Sequence, residues 1–179
     1  MKKDQNLVLK GSGIYLRRLK AKDWEEFTTL ARRSVRFHRG LLKLPKTREA
    51  YELFRKRVSG EASECFLICR AEDDAIAGVI HMAQIFRGPL QSAYLGYGLG
   101  VDFIGKGYAS NAVRVILRFA FHDLKLHRLE ANIQPHNLPS IALVKQLGFS
   151  KEGYSPKYLK VSGKWCDHER WAITKENWK

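Results

Sequence analysis

The chain has 179 residues, of which 45% are hydrophobic and 28% are charged, a composition typical of a soluble globular protein with one well-buried core. No apolar run reaches the ~20 residues that a membrane-spanning helix needs. No Pro/Gly/Ser-rich run or block of like charges divides the sequence. We therefore expect a single domain over residues 1–179 and no association with a membrane.

Two further features indicate a cytoplasmic protein with reduced thiols. The N-terminal stretch begins with Met1, Lys2 and Lys3 but then alternates polar and apolar residues, without the ~7–15-residue apolar core of a secretory signal. Cys65 and Cys69 lie in one strand-like segment, roughly 13 Å apart by strand rise, which is too far for a disulfide. The spacing of the Cys and His residues does not match a zinc site, so no metal is expected.

The charge of the chain predicts an anionic partner. Lys and Arg number 32 against 18 Asp and Glu, which gives a formal net charge of +14. A polyphosphate cofactor, an acidic protein or peptide, and an RNA or ribosomal surface would all be attracted to such a protein. A solvated basic surface on an otherwise ordinary enzyme is the alternative interpretation.

The N-terminal third predicts a strand followed by two helices. Ile14–Leu19 is strand-like, and a helix opens at Lys22, with apolar residues at 24, 27, 30 and 31. A second helix is expected from about Thr47, as its N-cap, to Val58. Its predicted apolar face comprises Ala50, Leu53, Phe54 and Val58. The basic, aromatic segment 36–42 between the helices has no clear period and predicts a loop positioned over a site.

Three strands are expected next. Cys65–Ala71 and Ile76–Ile85 flank a short acidic turn, which favours an antiparallel hairpin. Ser92–Val101 carries glycine at every second position, at residues 96, 98 and 100, so all three glycines face the same side of the sheet. Bare backbone on one face indicates a bulge, a close approach by a ligand, or tight packing against a helix.

The C-terminal half alternates helices and strands. Tyr108–His122 has the apolar spacing of a helix, Arg128–Ile133 is strand-like, and Ser140–Leu147 is a short helix ended by glycine. Phe149–Thr174 predicts a hairpin that turns at residues 162 and 163. A central mixed sheet with helices on both faces, of the α/β (α+β) class, buries these elements.

A Gly-rich loop at residues 105–109 lies where the glycine-bearing strand passes into the long helix. Glycines there allow a sharp turn that exposes successive N–H groups beside the positive end of the helix dipole, which suits phosphate oxygens. Lys106 adds charge. The sequence matches neither a Walker loop nor a complete dinucleotide fingerprint, because position 110 is serine. A plain connecting turn is the alternative.

Short motifs in a consistent order occur along nearly the whole chain. They are Tyr15-Leu16-Arg17 with Asp23, Ala77-Gly78-Val79-Ile80, Leu95-Gly96-Tyr97-Gly98-Leu99, Gly105-Lys106-Gly107-Tyr108-Ala109, His127-Arg128-Leu129-Glu130-Ala131, Asn137, Ser140, Leu147-Gly148-Phe149 and Gly163-Lys164-Trp165-Cys166-Asp167-His168-Glu169. Together they resemble the GNAT superfamily of N-acetyltransferases, and within it the RimJ/RimL-type branch that acetylates ribosomal-protein N-termini.

The resemblance implies an acetyl-CoA-dependent enzyme with a mostly antiparallel seven-stranded sheet. Its fourth and fifth strands, 92–101 and 128–133, would splay apart to admit the pantetheine arm, which would bond to the backbone around Leu99, Gly100 and Val101. The residues implied to hold the pyrophosphate are Gly105, Lys106, Gly107, Tyr108 and Ala109. Asn137 would bind near the thiol, although a helix cap is its alternative role.

The chain departs from the family pattern at three places. The loop position that usually holds Gln or Arg is Ile104, and the position of the usual tyrosine acid is Val144. Ser140 is the remaining candidate to protonate or orient the thiolate, with an ordinary helix cap as the alternative. The acidic residue that often serves as base in the fourth strand is matched by Tyr94.

A weak base favours one class of acceptor. An α-amine, with a pKa of roughly 8, is substantially neutral at physiological pH. Removing the proton from a lysine amine costs about 3 kcal/mol more. We therefore expect a protein N-terminus as acceptor, with water, Glu130, His81 or His168 relaying the proton. An aminoglycoside, a polyamine or another small amine is the alternative acceptor, and a non-catalytic RNA-binding module is the alternative function. The protein is expected to be a monomer or a homodimer.

Overall fold

The computed structural model describes residues 4–178, which form eight strands, four α-helices and three shorter helical turns. The prediction that the N-terminal stretch is not a secretory signal begins at Met1, Lys2 and Lys3, which lie outside the described residues. The strands are β1 (Val8–Lys10), β2 (Ile14–Arg17), β3 (Ser63–Arg70), β4 (Ile76–Phe86), β5 (Ser92–Leu99), β6 (Arg128–Ile133), β7 (Ser150–Val161) and β8 (Lys164–Thr174). The helices are α1 (Trp24–Arg33), α2 (Arg48–Val58), α3 (Tyr108–Arg118) and α4 (Leu138–Gln146).

All eight strands form one mixed sheet in the order β1-β2-β3-β4-β5-β6-β8-β7. Every neighbouring pair is antiparallel except β5 and β6, which run parallel. The predicted class and mostly antiparallel pairing are confirmed, but the predicted count of seven strands is wrong. The additional strand, β1, has only three residues, too few to show a strand period, and it is identified by its pairing with β2.

Helices cover both faces of the sheet and divide its core in two. One cluster packs α3 against β2, β4, β5 and β6, with residues such as Ile116, Ile80 and Leu129 almost fully buried. The other packs α1 and α2 against the opposite face of β3 and β4, around Phe27 and Tyr51. In strands, alternate side chains face opposite sides, so β3 and β4 supply buried residues to both clusters.

The two N-terminal helices differ slightly from their prediction. Thr47 caps α2 as expected, because its Oγ1 accepts a hydrogen bond from Ala50 N at 3.2 Å. Leu53, however, is 69% exposed, and Tyr51 is the fully buried residue of this helix. The predicted apolar face is therefore wrong at Leu53, whereas Phe54 and Val58 pack in the core as predicted. The prediction also missed Tyr51, which buries its ring against Phe27 and donates its hydroxyl to Lys20 O at 2.9 Å.

The C-terminal elements follow their predictions closely. Residues 119–123 continue α3 as a π-helical turn. The predicted helix to residue 122 is therefore confirmed, although its last turn is π-helical and not α-helical. The hairpin β7–β8 turns at Ser162 and Gly163, whose φ values of 50° and 87° fit a tight two-residue turn. Within residues 4–178, no helix is long and apolar enough to cross a membrane.

Candidate active site

The central feature of the site is the gap that opens between two parallel strands. β5 pairs with β6 at only three positions, which join residues 92–94 to residues 128–130. Beyond Tyr94 the two strands part, although β6 remains paired with β8 as far as Ile133. The expected splay is present, and it leaves one edge of β5 without a neighbouring strand.

The main chain of β5 beyond Tyr94 can be assigned to its two edges. Gly100 N donates to Ala77 O at 2.8 Å, so the even-numbered residues direct their main-chain groups toward β4. Because main-chain groups alternate between the edges of a strand, those of Leu95, Tyr97 and Leu99 face the gap. These groups can bond to an extended ligand arm that takes the place of a strand.

The segment 34–42 after α1 closes the far end of this gap. His38 is buried, and its Nε2 donates to Leu99 O at 2.9 Å. Ser34 Oγ accepts a hydrogen bond from Val101 N at 3.0 Å. Gln134, which follows β6, donates to Gly40 O at 2.7 Å. The predicted loop over a site is therefore an ordered bridge between β5 and the end of β6.

These contacts change the expectation for the backbone at residues 99–101. Gly100 N and Val101 N are already bonded within the protein, and Leu99 O has one partner in His38. A carbonyl oxygen has a second lone pair, so Leu99 O can still accept another bond. Of the three residues expected to hold a pantetheine arm, Leu99 is the one with main-chain groups facing the gap.

Gly96 and Gly98 of β5, and Gly100 just after it, lie on the α1 side of the sheet, opposite the α3 face. A Cβ at Gly100 would come within 2.7 Å of Leu30 in α1, and one at Gly98 within 2.3 Å of Leu42 Cδ2. Tight packing therefore explains these two glycines. Gly96 is exposed, with only His81 Nδ1 within 4 Å of its Cβ position, so this face is open beside the parting of the strands.

The Gly-rich loop lies open at the start of α3. Gly105 and Gly107 have φ values of 73° and 75°, and a Cβ at either would meet nothing within 4 Å. Gly107 precedes the helix without any side-chain cap on its first amides. The amides of the first helical turn have no partner within the helix, so an anion could approach them directly. Lys106 is exposed beside them, and Ile104 is also exposed.

Two hydroxyl groups meet on the α3 side of the gap. Ser140, in the first turn of α4, donates from Oγ to Tyr97 Oη at 3.0 Å. Burial raises the pKa of Tyr97, while the bond from Ser140 opposes that rise. Asn137 is the N-cap of α4, with Oδ1 accepting from Ser140 N at 3.4 Å. Val144, at the position of the usual acid, is buried.

Tyr94 lies on the other face of β5 from this pair. Strand alternation directs its side chain to the side of Gly96, so the structure does not bring Tyr94 and Ser140 together. Burial, and then a hydrogen bond with Tyr158, raise the pKa of Tyr94. Sequence reasoning missed Tyr97, although it lies inside one of the quoted motifs, and it named no role for Ser34 or His38.

The three candidate proton relays differ in their surroundings. Glu130 is in an ion pair with Arg128, at 2.9 Å from Nε. His168 is buried, with Nδ1 at 2.9 Å from Cys166 O. His81 of β4 lies directly opposite the exposed Gly96 of β5 in the antiparallel register. Burial, together with the charge of Arg57, lowers the pKa of His81. His81 is therefore a neutral imidazole beside the open face.

Comparison with known families decides the assignment. The acetyltransferase (GNAT) domain model matches residues 14–150. The chain belongs to the GNAT acetyltransferase family. GNAT acetyltransferases use acetyl-CoA, and the chain is an N-acetyltransferase. The parted strands and the open amides at the start of α3 suit an acyl-pantetheine arm and a diphosphate.

Individual relatives support the same family. The chain is 36% identical to the probable N-acetyltransferase YjcK of Bacillus subtilis, over 93% of the chain and 96% of that protein. It is 37% identical to the ribosomal protein uS5-alanine N-acetyltransferase of Escherichia coli, over 60% of the chain and 55% of that enzyme. The structure of Mycobacterium smegmatis RimJ in complex with CoA-disulfide is similar, with a TM-score of 0.84 and 26% identity, and covers 97% of the chain and 88% of RimJ.

The burial of His38 beside the end of β5 predicts a pH dependence of stability. Burial lowers the pKa of His38, and the bond to Leu99 O opposes this less strongly. A pKa below the unfolded value of about 6.5 means that the neutral form stabilises the fold above that pH, and that this contribution is lost as the pH falls through the folded-state pKa.

The His38→Gln variant keeps an amide donor that does not titrate. We expect the free energy of unfolding of the parent protein to fall relative to that of the variant as the pH is lowered from about 8 to 5. Urea denaturation at several pH values measures this difference. His81 is shared by both proteins and does not contribute to it. Parallel pH profiles would contradict the conclusion that burial lowers the pKa of His38.

Proposed function

We propose that the chain acetylates the N-terminal α-amine of a protein, of the ribosomal-protein type, by direct transfer from acetyl-CoA. The observation that carries the proposal is the kind of proton acceptor on the open face of β5. His81, a neutral imidazole, is beside Gly96, whereas Glu130 is held by Arg128. Similarity to the uS5-alanine N-acetyltransferase supports the same acceptor.

The basicity of the acceptor explains this preference. An α-amine with a pKa of roughly 8 gives up its proton to a weak base or to water near neutral pH. A lysine or polyamine nitrogen, with a pKa of roughly 10, is almost fully protonated and needs a stronger base. In addition, the net charge of +14 disfavours a small polycation as the acceptor.

We further propose that the cofactor lies in the gap between β5 and β6. Its pyrophosphate rests on the amides of residues 105–109 with Lys106 beside it, and its pantetheine arm follows the main chain of Tyr97 and Leu99. Asn137 uses Oδ1 to cap α4 and retains its Nδ2 donor for the arm. Bound acetyl-CoA supplies the activated acyl group, and a main-chain N–H of β5 facing the gap polarises its carbonyl.

The two faces of β5 divide the chemistry in this proposal. The amine approaches on the face of Tyr94 and Gly96, where His81 or water takes the proton that the nitrogen loses. The amine nitrogen forms the new bond to the carbonyl carbon, and the C–S bond breaks. On the other face, Tyr97 or Ser140 gives a hydroxyl proton to the departing sulfur and regains a proton from solvent, to which the base releases the proton taken from the amine. No covalent intermediate with the protein is needed.

A panel of acceptors tests the proposed function. We expect acetylation of peptides with a free N-terminus, with little transfer to the same peptides after N-terminal blocking, even when they contain lysine. Spermidine and an aminoglycoside serve as the small-amine acceptors. Mass spectrometry of the products identifies the modified nitrogen. Faster transfer to either small amine, or to lysine in blocked peptides, would overturn the proposal.

The Gly107→Glu substitution tests the pyrophosphate site. A side chain at residue 107 meets open space, so the carboxylate would repel the diphosphate rather than disturb packing. We expect the stabilisation of the protein by acetyl-CoA in thermal unfolding to be lost, because a ligand that binds only the native state raises its stability.

The matched control is Gly163→Glu. Gly163 also has a positive φ, of 87°, and open space around its Cβ position, but it lies in the β7–β8 turn. The Gly163→Glu substitution therefore introduces the same charge and a similar backbone strain far from α3. The control should retain the full shift with acetyl-CoA. Retention of the shift by Gly107→Glu as well would refute the assigned site.

Ser140→Ala and Tyr97→Phe test the hydroxyl pair. Each removes one hydroxyl of the 3.0 Å hydrogen bond, and we expect each to lower kcat by about 10²-fold with little effect on the KM for acetyl-CoA. Because the two groups act together, the double variant should be no slower than the slower single variant. Steady-state kinetics measures kcat and KM for the single and double variants. If the losses in kcat of the two single variants multiply in the double variant, the two hydroxyl groups act separately.

A further inference from the structure

A positively charged surface covers the α1–α2 side of the protein. Residues 32–57 contain ten Lys or Arg and two Glu, a net charge of +8 out of the +14 of the whole chain. Nine of the ten basic side chains are exposed. They are Arg32, Arg33, Arg36, Arg39, Lys43, Lys46, Arg48, Lys56 and Arg57. We call this the basic surface.

Few of these charges are neutralised within the protein. Arg33 pairs with Asp102 at 3.1 Å, and Arg55 with Glu52 at 2.8 Å. Among residues 4–178, no carboxylate lies within ion-pair distance of the other basic side chains of the segment. Unpaired like charges repel one another, and a polyanion would relieve this repulsion.

The basic surface is mounted on an ordered backbone. Ser34, His38 and Leu44 are buried, and the first two are bonded to the end of β5. Arg32 donates to Lys46 O at 3.0 Å, which ties the two ends of the connection together. The charged side chains between these anchors therefore project outward from fixed positions, at little cost in backbone entropy on binding.

We propose that the basic surface binds single-stranded RNA through its phosphates. Seven of the ten basic residues are arginines, whose planar guanidinium groups bond phosphate oxygens in pairs and stack on bases. Phe37, 42% exposed between Arg36 and Arg39, offers a ring for base stacking. An acidic protein would use the charges but has less need of an exposed aromatic ring among them.

The position of the basic surface links RNA binding to the acceptor. Leu42 and His38 pack over Gly98 of β5, and the charge of Arg57 acts on His81. An RNA on the basic surface is thus next to the open face where the amine is proposed to enter. This link rests on the proposed function, because RNA bound on the basic surface would hold a protein N-terminus that is exposed beside that RNA near the proposed site. RNA binding itself does not depend on it.

Fluorescence anisotropy with a labelled, mixed-sequence RNA of about 20 nucleotides tests the inference on the full chain. We expect binding whose association constant falls steeply between about 50 and 200 mM KCl, because phosphate contacts release counterions. The R36Q/R39Q/K43Q variant should bind at least about tenfold more weakly, and its log–log salt slope should be shallower by about 2, at roughly 0.7 per phosphate lost.

The K160Q/K164Q/K175Q variant is the matched control. It removes three exposed lysines from the C-terminal hairpin and tail, so it has the same net charge as the test variant. It should bind RNA with nearly the affinity of the parent. Equal losses in both variants, no binding at low salt, or equally tight binding of poly-glutamate would overturn the inference. Thermal unfolding with and without acetyl-CoA verifies that both variants are folded.

Acetylation of a free peptide separates this inference from the proposed function. The R36Q/R39Q/K43Q variant should acetylate peptides at the parental rate in the absence of RNA, since these side chains are exposed and none is among the groups proposed to hold the cofactor or to transfer a proton. Peptide acetylation together with failure to bind RNA would refute the RNA surface alone. RNA binding lost in the test variant, without peptide acetylation by the parent, would support the surface and refute the proposed function.

Discussion

The hydrogen-bonding requirement of one strand edge governs how this protein is built. After Tyr94, β5 loses β6 as a neighbour, and its main-chain groups on that edge need other partners. The fold supplies some of them from a distant part of the sequence, because His38 bonds to Leu99 at the end of β5 and Ser34 bonds to Val101 just beyond it. The remaining groups, around Tyr97, face a gap that suits the extended arm of acetyl-CoA. The gap between β5 and β6 is thus limited at one end by the pairing of the two strands and at the other end by the segment that connects α1 to α2.

This closure also connects the two sides of β5. The segment that bonds to Leu99 packs on Gly98, on the face proposed for the acceptor. The hydroxyl pair of Tyr97 and Ser140 lies on the opposite face, next to α3 and α4. Because successive side chains of a strand point to opposite faces, one strand can present different chemistry to the two reactants. A shift of β5 would therefore alter both sides at once.

The electrostatics of the protein are unevenly distributed in a way that matches this layout. More than half of the formal net charge lies in residues 32–57, which also supply the closure of the gap. Exposed charges lose their mutual influence beyond about 8–10 Å at physiological salt, so their position matters more than their sum. The basic surface borders the face proposed for the acceptor, and Lys106 adds a further charge in the Gly-rich loop at the start of α3.

Local sequence patterns determined most of the elements and the family. The apolar spacing of α3, the cap at Thr47, the hairpin turn at Ser162 and the Gly-rich loop are properties of neighbouring residues, and the sequence predicted them. The motifs indicated the GNAT family because their order is itself a sequence property. Short β1 and the buried Tyr51 escaped prediction, since pairing with β2 and contact with Phe27 identify them. Only the tertiary structure decided that Ser140 meets Tyr97 rather than Tyr94, and that His38 closes on Leu99. These contacts join residues 43 and 61 positions apart, and no local pattern encodes which distant side chain will fill a strand edge.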